Sequence, residues 1–306
     1  MDQSVGAVFE ALHKRDMLSN TLFMFLSDNG GNAMTGYGSN YPLRGNKFSQ
    51  WEGGLRVPAV IWSPLLQLDK PRVSHQLTHV TDWLPTLYSG LLGGNITDLG
   101  LIDGIDMWQS LLDGSPSPRT EVLQNLYPIS ETAAFRLGDW KVVNGSARVG
   151  FDRWFGPSGL ENFDGPTNYE WVFKNGSIVG DILMETGMWI ADDPNEIYDQ
   201  LRITCEKSLP ETAFNCDPIK KPCLFNITDD PCEYKDLPDD NPEIVEQIME
   251  MIMKYKAEAV KPQKKLPDPR ADPMCHHFQY VPWLDPEYQS ECDFSKEENI
   301  TVIHIK

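Results

Sequence analysis

Basic residues are scarce in this 306-residue chain, where 26 Lys and Arg face 45 Asp and Glu for a formal net charge of −19. General nucleic-acid binding needs a basic face, so that class is excluded first. No apolar stretch approaches the roughly twenty residues needed to cross a bilayer. Cysteine is absent from the first two hundred residues, and no C-x-x-C spacing occurs, which argues against zinc. Nor does a secretory leader open the chain. Residues 1–18, MDQSVGAVFEALHKRDML, carry charges and place Val5, Val8, Phe9 and Leu12 at helical spacing. That pattern predicts an amphipathic helix. No internal repeat or long low-complexity run is found, and a hydrophobic content of 41% is that of an ordinary globular protein. The length allows two packed units.

The cysteines that do occur are clustered. Cys205, Cys216, Cys223, Cys232, Cys275 and Cys292 lie among Pro, Asn and Asp, which reads as disulfides formed in an oxidising compartment. Cys223 with Cys232 and Cys205 with Cys216 are plausible pairs. Sequons at Asn95, Asn144, Asn175, Asn226 and Asn299 agree with secretion. A sequon-rich, disulfide-bearing chain without a leader predicts that its beginning is missing.

Residues 21–64, TLFMFLSDNGGNAMTGYGSNYPLRGNKFSQWEGGLRVPAVIWSP, organise the rest. The apolar run at 22–26 stops at Ser27, Asp28, Asn29, Gly30 and Gly31, the pattern of a buried strand ending in a tight turn. Ligands in open α/β sheets bind beyond the carboxyl ends of strands. Asp28 and Asn29 would stand at that mouth, and two hard oxygen donors suit Ca²⁺ or Mg²⁺. Arg44 and Lys47 follow a glycine-rich loop and bring cations to the same region. A divalent metal with Lys and Arg is a means of handling an anionic ester oxygen. Residues 57–62 read as a second core strand.

Further along, Thr81 is the expected cap of a helix through Trp83, Leu84, Leu87 and Leu91, with Pro85 tolerated near its first turn. His79, just ahead of it, reads as structural. Trp108, Leu111 and Leu112 suggest a short helix ended by Gly114. Phe135–Arg136, a Gly138–Asp139 turn and residues 140–143 read as a β-hairpin, with strands also expected around 171–173 and 224–226. Residues 144–200 predict no definite elements. Asn241, Pro242 and Glu243 open a helix whose Ile244, Ile248, Ile252, Tyr255 and Ala259 share one face. The tail from Pro267 reads as loop, with the adjacent His276 and His277 on its surface.

SDNGG, PLRGNK and WEGGLRVPAVIWSP resemble the sulfatase family, most closely the arylsulfatase B (N-acetylgalactosamine-4-sulfatase) type. THVTDWLPTL (78–87), DGIDMW (103–108), GSPSPR (114–119), LGDWKVV (137–143), CLFNITDDPCE (223–233) and DPRADP (268–273) continue the resemblance in the same order. It implies an α/β fold, a sulfatase/alkaline-phosphatase-like mixed sheet flanked by helices and here incomplete. A smaller antiparallel β subdomain with one helix follows. Residues 1–120 would be the carboxyl-terminal part of the catalytic domain, and residues 121–306 the subdomain with a disulfide-rich, loop-like tail. By resemblance, Asp28 and Asn29 match half of a Ca²⁺ site, and Lys47 matches the lysine that contacts the sulfate and helps stabilise the departing oxygen. Arg44 would join it in substrate binding. The substrate would be a sulfated glycan or aryl sulfate ester, and the compartment lysosomal or extracellular.

The family's nucleophile is expected to be a formylglycine made from the cysteine of C-x-P-S-R, and that string occurs nowhere in this sequence. The nearest, Ser115-Pro116-Ser117-Pro118-Arg119, lacks the cysteine and lies after the metal motif. The chain thus reads as an inactive carboxyl-terminal portion of a sulfuric ester hydrolase. The alternative is a non-catalytic secreted glycoprotein that binds sulfated glycans through Arg44, Lys47 and Arg56. A phosphoesterase would call for more histidine near the turn, and none lies between Asp28 and Lys47.

Overall fold

The computed structural model describes residues 1–36, 38–127, 131–146, 150–156, 176–190, 194–206, 208–262, 268–288 and 292. The chain divides into two compact units, Met1–Ala259 and Val260–Lys306.

In the first unit the two apolar runs of the organising stretch form β1 (Phe23–Leu26) and β2 (Ala59–Trp62). They pair antiparallel, Phe23 opposite Trp62 and Leu26 opposite Ala59. The amphipathic opening is a helix, Asp2–His13, that lays Phe9 on this ribbon. The Phe9 ring meets Trp62 edge-on at 4.8 Å and Phe23 at 5.6 Å. Ile182 and Leu183 of a second helix, Ile178–Glu185, complete the cluster. The expectation of buried strands needs correction: β1 and β2 are half-buried to exposed, and Val60 is 56% exposed. Continuous apolar sequence marked the strands correctly but not their burial, because that cluster covers Phe23 and Trp62 and leaves Val60 open.

The helical stretch after residue 79 also starts differently. His79, not Thr81, is the cap: the Asp82 carboxylate accepts the His79 N–H at 2.8 Å, and the His79 ring nitrogen faces the Thr81 N–H at 3.5 Å. A 3₁₀ turn, Val80–Asp82, leads through Trp83–Pro85 into a π-helical turn, Thr86–Leu91. The helix Trp108–Asp113 ends as expected at Gly114, whose φ of 75° lies in the left-handed region.

A four-stranded antiparallel sheet follows, in spatial order β3 (Glu121–Tyr127), β4 (Thr132–Leu137), β5 (Trp140–Asn144) and β6 (Cys223–Asn226). The Gly138–Asp139 turn closes the β4–β5 hairpin, with Gly138 at φ 56°. The strand expected around 171–173 falls outside the described residues. One face of the sheet takes the long helix Pro242–Glu258, whose Ile248 and Ile252 are buried on Phe135, Val142 and Leu224. Alternation turns Val143 and Phe225 to the other face, where they pack with Trp51. Asn241 stands at the N-cap position without capping, because its side-chain amide donates to the Leu237 carbonyl at 3.1 Å.

Disulfides join Cys205 to Cys232 and Cys216 to Cys223, correcting both suggested pairings. Residues 217–222 double back so that Cys223, at the start of β6, faces Cys216 with the Cα atoms 5.7 Å apart. The chain leaving β6 then brings Cys232 to Cys205. The second unit holds the third disulfide, Cys275–Cys292, and the 3₁₀ turns Pro269–Ala271 and Pro273–His276. His276 is buried rather than on the surface, its Nε2–H donating to the Arg270 carbonyl at 2.7 Å.

Ile248 is wholly buried between sheet and helix. Ile248→Ala should therefore cost about 2–5 kcal/mol, read as a lower denaturant midpoint with an unchanged slope.

Candidate metal- and anion-binding turn

The chain leaving β1 turns sharply because glycine stands where no side chain fits. A Cβ on Gly30 would lie 1.8 Å from the Gly53 carbonyl oxygen, and one on Gly31 would lie 3.0 Å from the Gly38 Cα. The Gly30 N–H donates to the Gly54 carbonyl at 3.0 Å. Asn40 fastens the loop from within: its Oδ1 accepts the Gly31 N–H at 2.7 Å, and its Nδ2 donates to the Gly31 and Gly45 carbonyls at 2.9 and 3.3 Å. The Lys47 N–H reaches the Gly31 carbonyl at 3.0 Å. Backbone bonds thus bring the lysine-bearing loop to the turn that carries Asp28 and Asn29.

Asp28 is exposed, and its Oδ1 accepts the Asn29 N–H at 2.9 Å. The Asn29 Nδ2 donates to the Gly30 carbonyl at 2.8 Å. Those bonds hold both side chains, and among the described residues no hydrogen bond engages Asp28 Oδ2 or Asn29 Oδ1. The donor set is all oxygen, as a hard cation requires. The Lys47 ammonium lies 5.4 Å from the Phe48 ring centroid. Among the described residues no hydrogen bond or ion pair joins it to Asp28 or Asn29, so backbone contact alone brings the three together.

Arg44 is placed elsewhere. Its guanidinium is enclosed between the Trp51 and Trp154 rings, 3.4 and 4.3 Å from their centroids, and Nε donates to the Asp152 carbonyl at 3.0 Å. Burial lowers its pKa to about 10 despite the nearby Glu233 and Asp152. Arg56 is exposed. Of the sequons, Asn95 is exposed with its Oδ1 accepting the Thr97 N–H, while the Asn226 amide donates to Asp229. Asn144 is half-buried and donates to the Glu131 carbonyl, and Asn175 and Asn299 lie outside the described residues.

Two buried ionic groups escaped sequence reasoning. Arg119 clamps Asp82 with Nε to Oδ2 at 2.7 Å and Nη2 to Oδ1 at 2.5 Å, and also donates to the Asp103 and Glu121 carbonyls. The THVTD, DGID and SPSPR strings therefore meet at one pin. His79 belongs to it: burial, then Arg119, lowers its pKa below the ordinary imidazole value. The second group is Lys141, wholly buried in β5 between Glu52 and Glu233 at 2.8 and 2.9 Å. A lysine inside the apolar strand WKVV was the available signal, since a buried ammonium needs partners.

Residues 1–93 match the sulfatase family. Arylsulfatase J of mouse is 31% identical over 305 residues, covering 94% of this chain and 43% of that protein. The sulfatase likeness thus covers residues 1–93 by family and most of this chain by its similarity to arylsulfatase J. N-acetylgalactosamine-6-sulfatase of dog is 36% identical over 122 residues, covering 39% of this chain and 23% of that protein. A solved structure of Ps i-CgsB with k-i-k-neocarrahexaose superposes with a TM-score of 0.54 at 22% identity, covering 85% of this chain and 42% of that one. The fold is accordingly the sulfatase, alkaline-phosphatase-like one, represented in part. The chain spans less than half the length of these relatives.

The Gly30–Gly53 contact gives a direct check. Gly30→Ala forces the turn away from the Gly53 carbonyl and should cost about 1–3 kcal/mol, read as a lower melting temperature.

Proposed function

We propose that this chain forms part of a sulfuric ester hydrolase of the arylsulfatase type. The carrying observation is the hydrogen bond from the Lys47 N–H to the Gly31 carbonyl, which sets the lysine beside the turn that presents Asp28 and Asn29. On this reading Asp28 Oδ2 and Asn29 Oδ1 hold Ca²⁺, and the Lys47 ammonium, a compact charge with three donors, binds the sulfate oxygens. Ca²⁺ when bound supplies positive charge to an anionic ester. Two protein oxygens fall short of its usual six to eight ligands. The remaining ligands and the formylglycine nucleophile then belong to sulfatase sequence other than these 306 residues. Arg44, enclosed by indoles, supports the loop from behind instead of touching the ester.

Residues 1–120 then belong to the catalytic domain and residues 121–306 to the carboxyl-terminal subdomain. A sulfated glycan is the favoured substrate, with N-acetylgalactosamine sulfate implied by the arylsulfatase B resemblance and by the name of the dog relative. Three disulfides and the exposed Asn95 sequon support a lysosomal or secreted glycoprotein. The second reading, a sulfated-glycan binder without turnover, draws on the missing C-x-P-S-R string.

Calorimetric titration with Ca²⁺ should show binding that is lost in the Asp28→Ala, Asn29→Ala double variant. Unchanged binding would remove the metal turn. With a C-x-P-S-R-bearing sulfatase segment joined to the chain, Lys47→Ala should lower aryl sulfate turnover on the order of a hundredfold. Undiminished turnover would take Lys47 out of the mechanism. Saturable, salt-sensitive glycan binding without turnover in the joined protein would favour the second reading.

A further inference from the structure

The cluster behind the turn has more negative charge than its one lysine can balance. Lys141 Nζ is wholly buried, with Glu52 Oε1 at 2.8 Å and Glu233 Oε1 at 2.9 Å. Glu233 Oε2 accepts the backbone N–H of Glu52 at 2.9 Å. Glu233 Oε1 meets the ammonium at ion-pair distance and, among the described residues, has no other polar partner. All three side chains are 2% exposed or less. Two ionised carboxylates on one ammonium leave a buried surplus charge that the Arg44 guanidinium offsets from outside the ion pairs, and a low-dielectric site disfavours what remains.

The three groups come from different places in the fold. Glu52 adjoins Gly53 and Gly54, the residues that seat Gly30. Lys141 stands in β5, and Glu233 follows the disulfide-bonded Cys232. Glu233 also holds φ at 58°, a conformation costly for a residue with a long side chain. Its carboxylate is thus held in place by the surrounding structure against its own backbone preference.

We propose that Glu52, Lys141 and Glu233 form a proton-dependent clamp that binds the turn-supporting WEGG segment to the four-stranded sheet, firm when Glu233 carries a proton and weakened when it loses it. The clamp stands whether or not the turn handles sulfate. Facing Glu233 are Lys141 from β5, Glu52 from the WEGG segment and Arg44 from the preceding loop. Around Glu52 stand Arg136 and Arg56, and around Arg44 stand Asp152, Asp230 and Asp236. Burial raises the Glu233 carboxyl to about 7, Lys141 opposing and Glu52 adding to the rise. Burial would raise Glu52 too, but Lys141 outweighs it and holds that carboxyl below its ordinary value. Lys141, pushed down by burial and up by both carboxylates, ends above its ordinary value and stays charged.

The sign follows from linkage. A group whose folded pKa exceeds its unfolded value binds more protons when folded, so its stabilisation is full below the unfolded pKa. For Glu233 that stabilisation is lost as pH rises from 4.5 through about 7. Glu233 should therefore make the intact chain melt higher at about pH 5 than at about pH 8, by on the order of 5 °C, set against the opposing pull of His79, whose lowered pKa favours the higher pH and which Glu233→Gln leaves unchanged. Glu233→Gln, which cannot titrate, should flatten that difference, and an undiminished difference would overturn the clamp. Should the variant fail to fold, the carboxyl carbon-13 shift of Glu233 in the wild-type chain decides the matter. A midpoint near 7 supports the clamp, and one at or below 4.5 overturns it.

Discussion

Nothing larger than a hydrogen atom fits between Gly30 and the Gly53 carbonyl, and the placement of the candidate site depends on that contact. Because the two backbones touch, the turn after β1 rests on the WEGG segment. That segment in turn contributes Trp51 to the packing on the sheet and Glu52 to the ion cluster. The surface turn that carries Asp28 and Asn29 is thus joined, through four consecutive residues, to a fully enclosed ion cluster. Side-chain polar groups complete the seating: Asn40 alone satisfies one donor and two acceptors of the loop backbone.

Local pattern revealed much of this fold. The opening helix, both strands of the ribbon, the β4–β5 hairpin and the long helix were all legible, since each is signalled by apolar spacing or turn residues within one short window. The disulfide partners were not, because nearness along the chain says little about which cysteines a returning strand brings together. The cap at His79 was missed for a related reason: Thr81 is the better cap by type, but Asp82 reaches back to the His79 N–H while it also grips Arg119. Tertiary demand overrode local preference there.

The site was legible in its residues more than in its layout. Asp28 and Asn29 stand on the turn as the strand-then-glycine pattern implied, and Lys47 is tied to it by its backbone. Arg44 was read as a cation offered to an anion, yet two tryptophans enclose it. Indole faces attract guanidinium strongly, and Trp154 lies more than a hundred residues away, beyond any local pattern. The collinear strings that carried the family resemblance separate on inspection into two kinds. SDNGG and PLRGNK build the turn, whereas THVTD, DGID and SPSPR converge on the Asp82–Arg119 pin and hold the scaffold in place.

The β1–β2 ribbon carries a practical consequence. No third strand flanks it among the described residues, and Leu26 and Val60 stand open to solvent. Among the described residues no strand covers its outer margins, so an extended chain that comes near can add there, and the uncovered side chains reward that encounter. Concentrated solutions of this polypeptide will therefore tend toward self-association by strand addition, and the strongly acidic surface that keeps molecules apart does so less effectively as salt is raised.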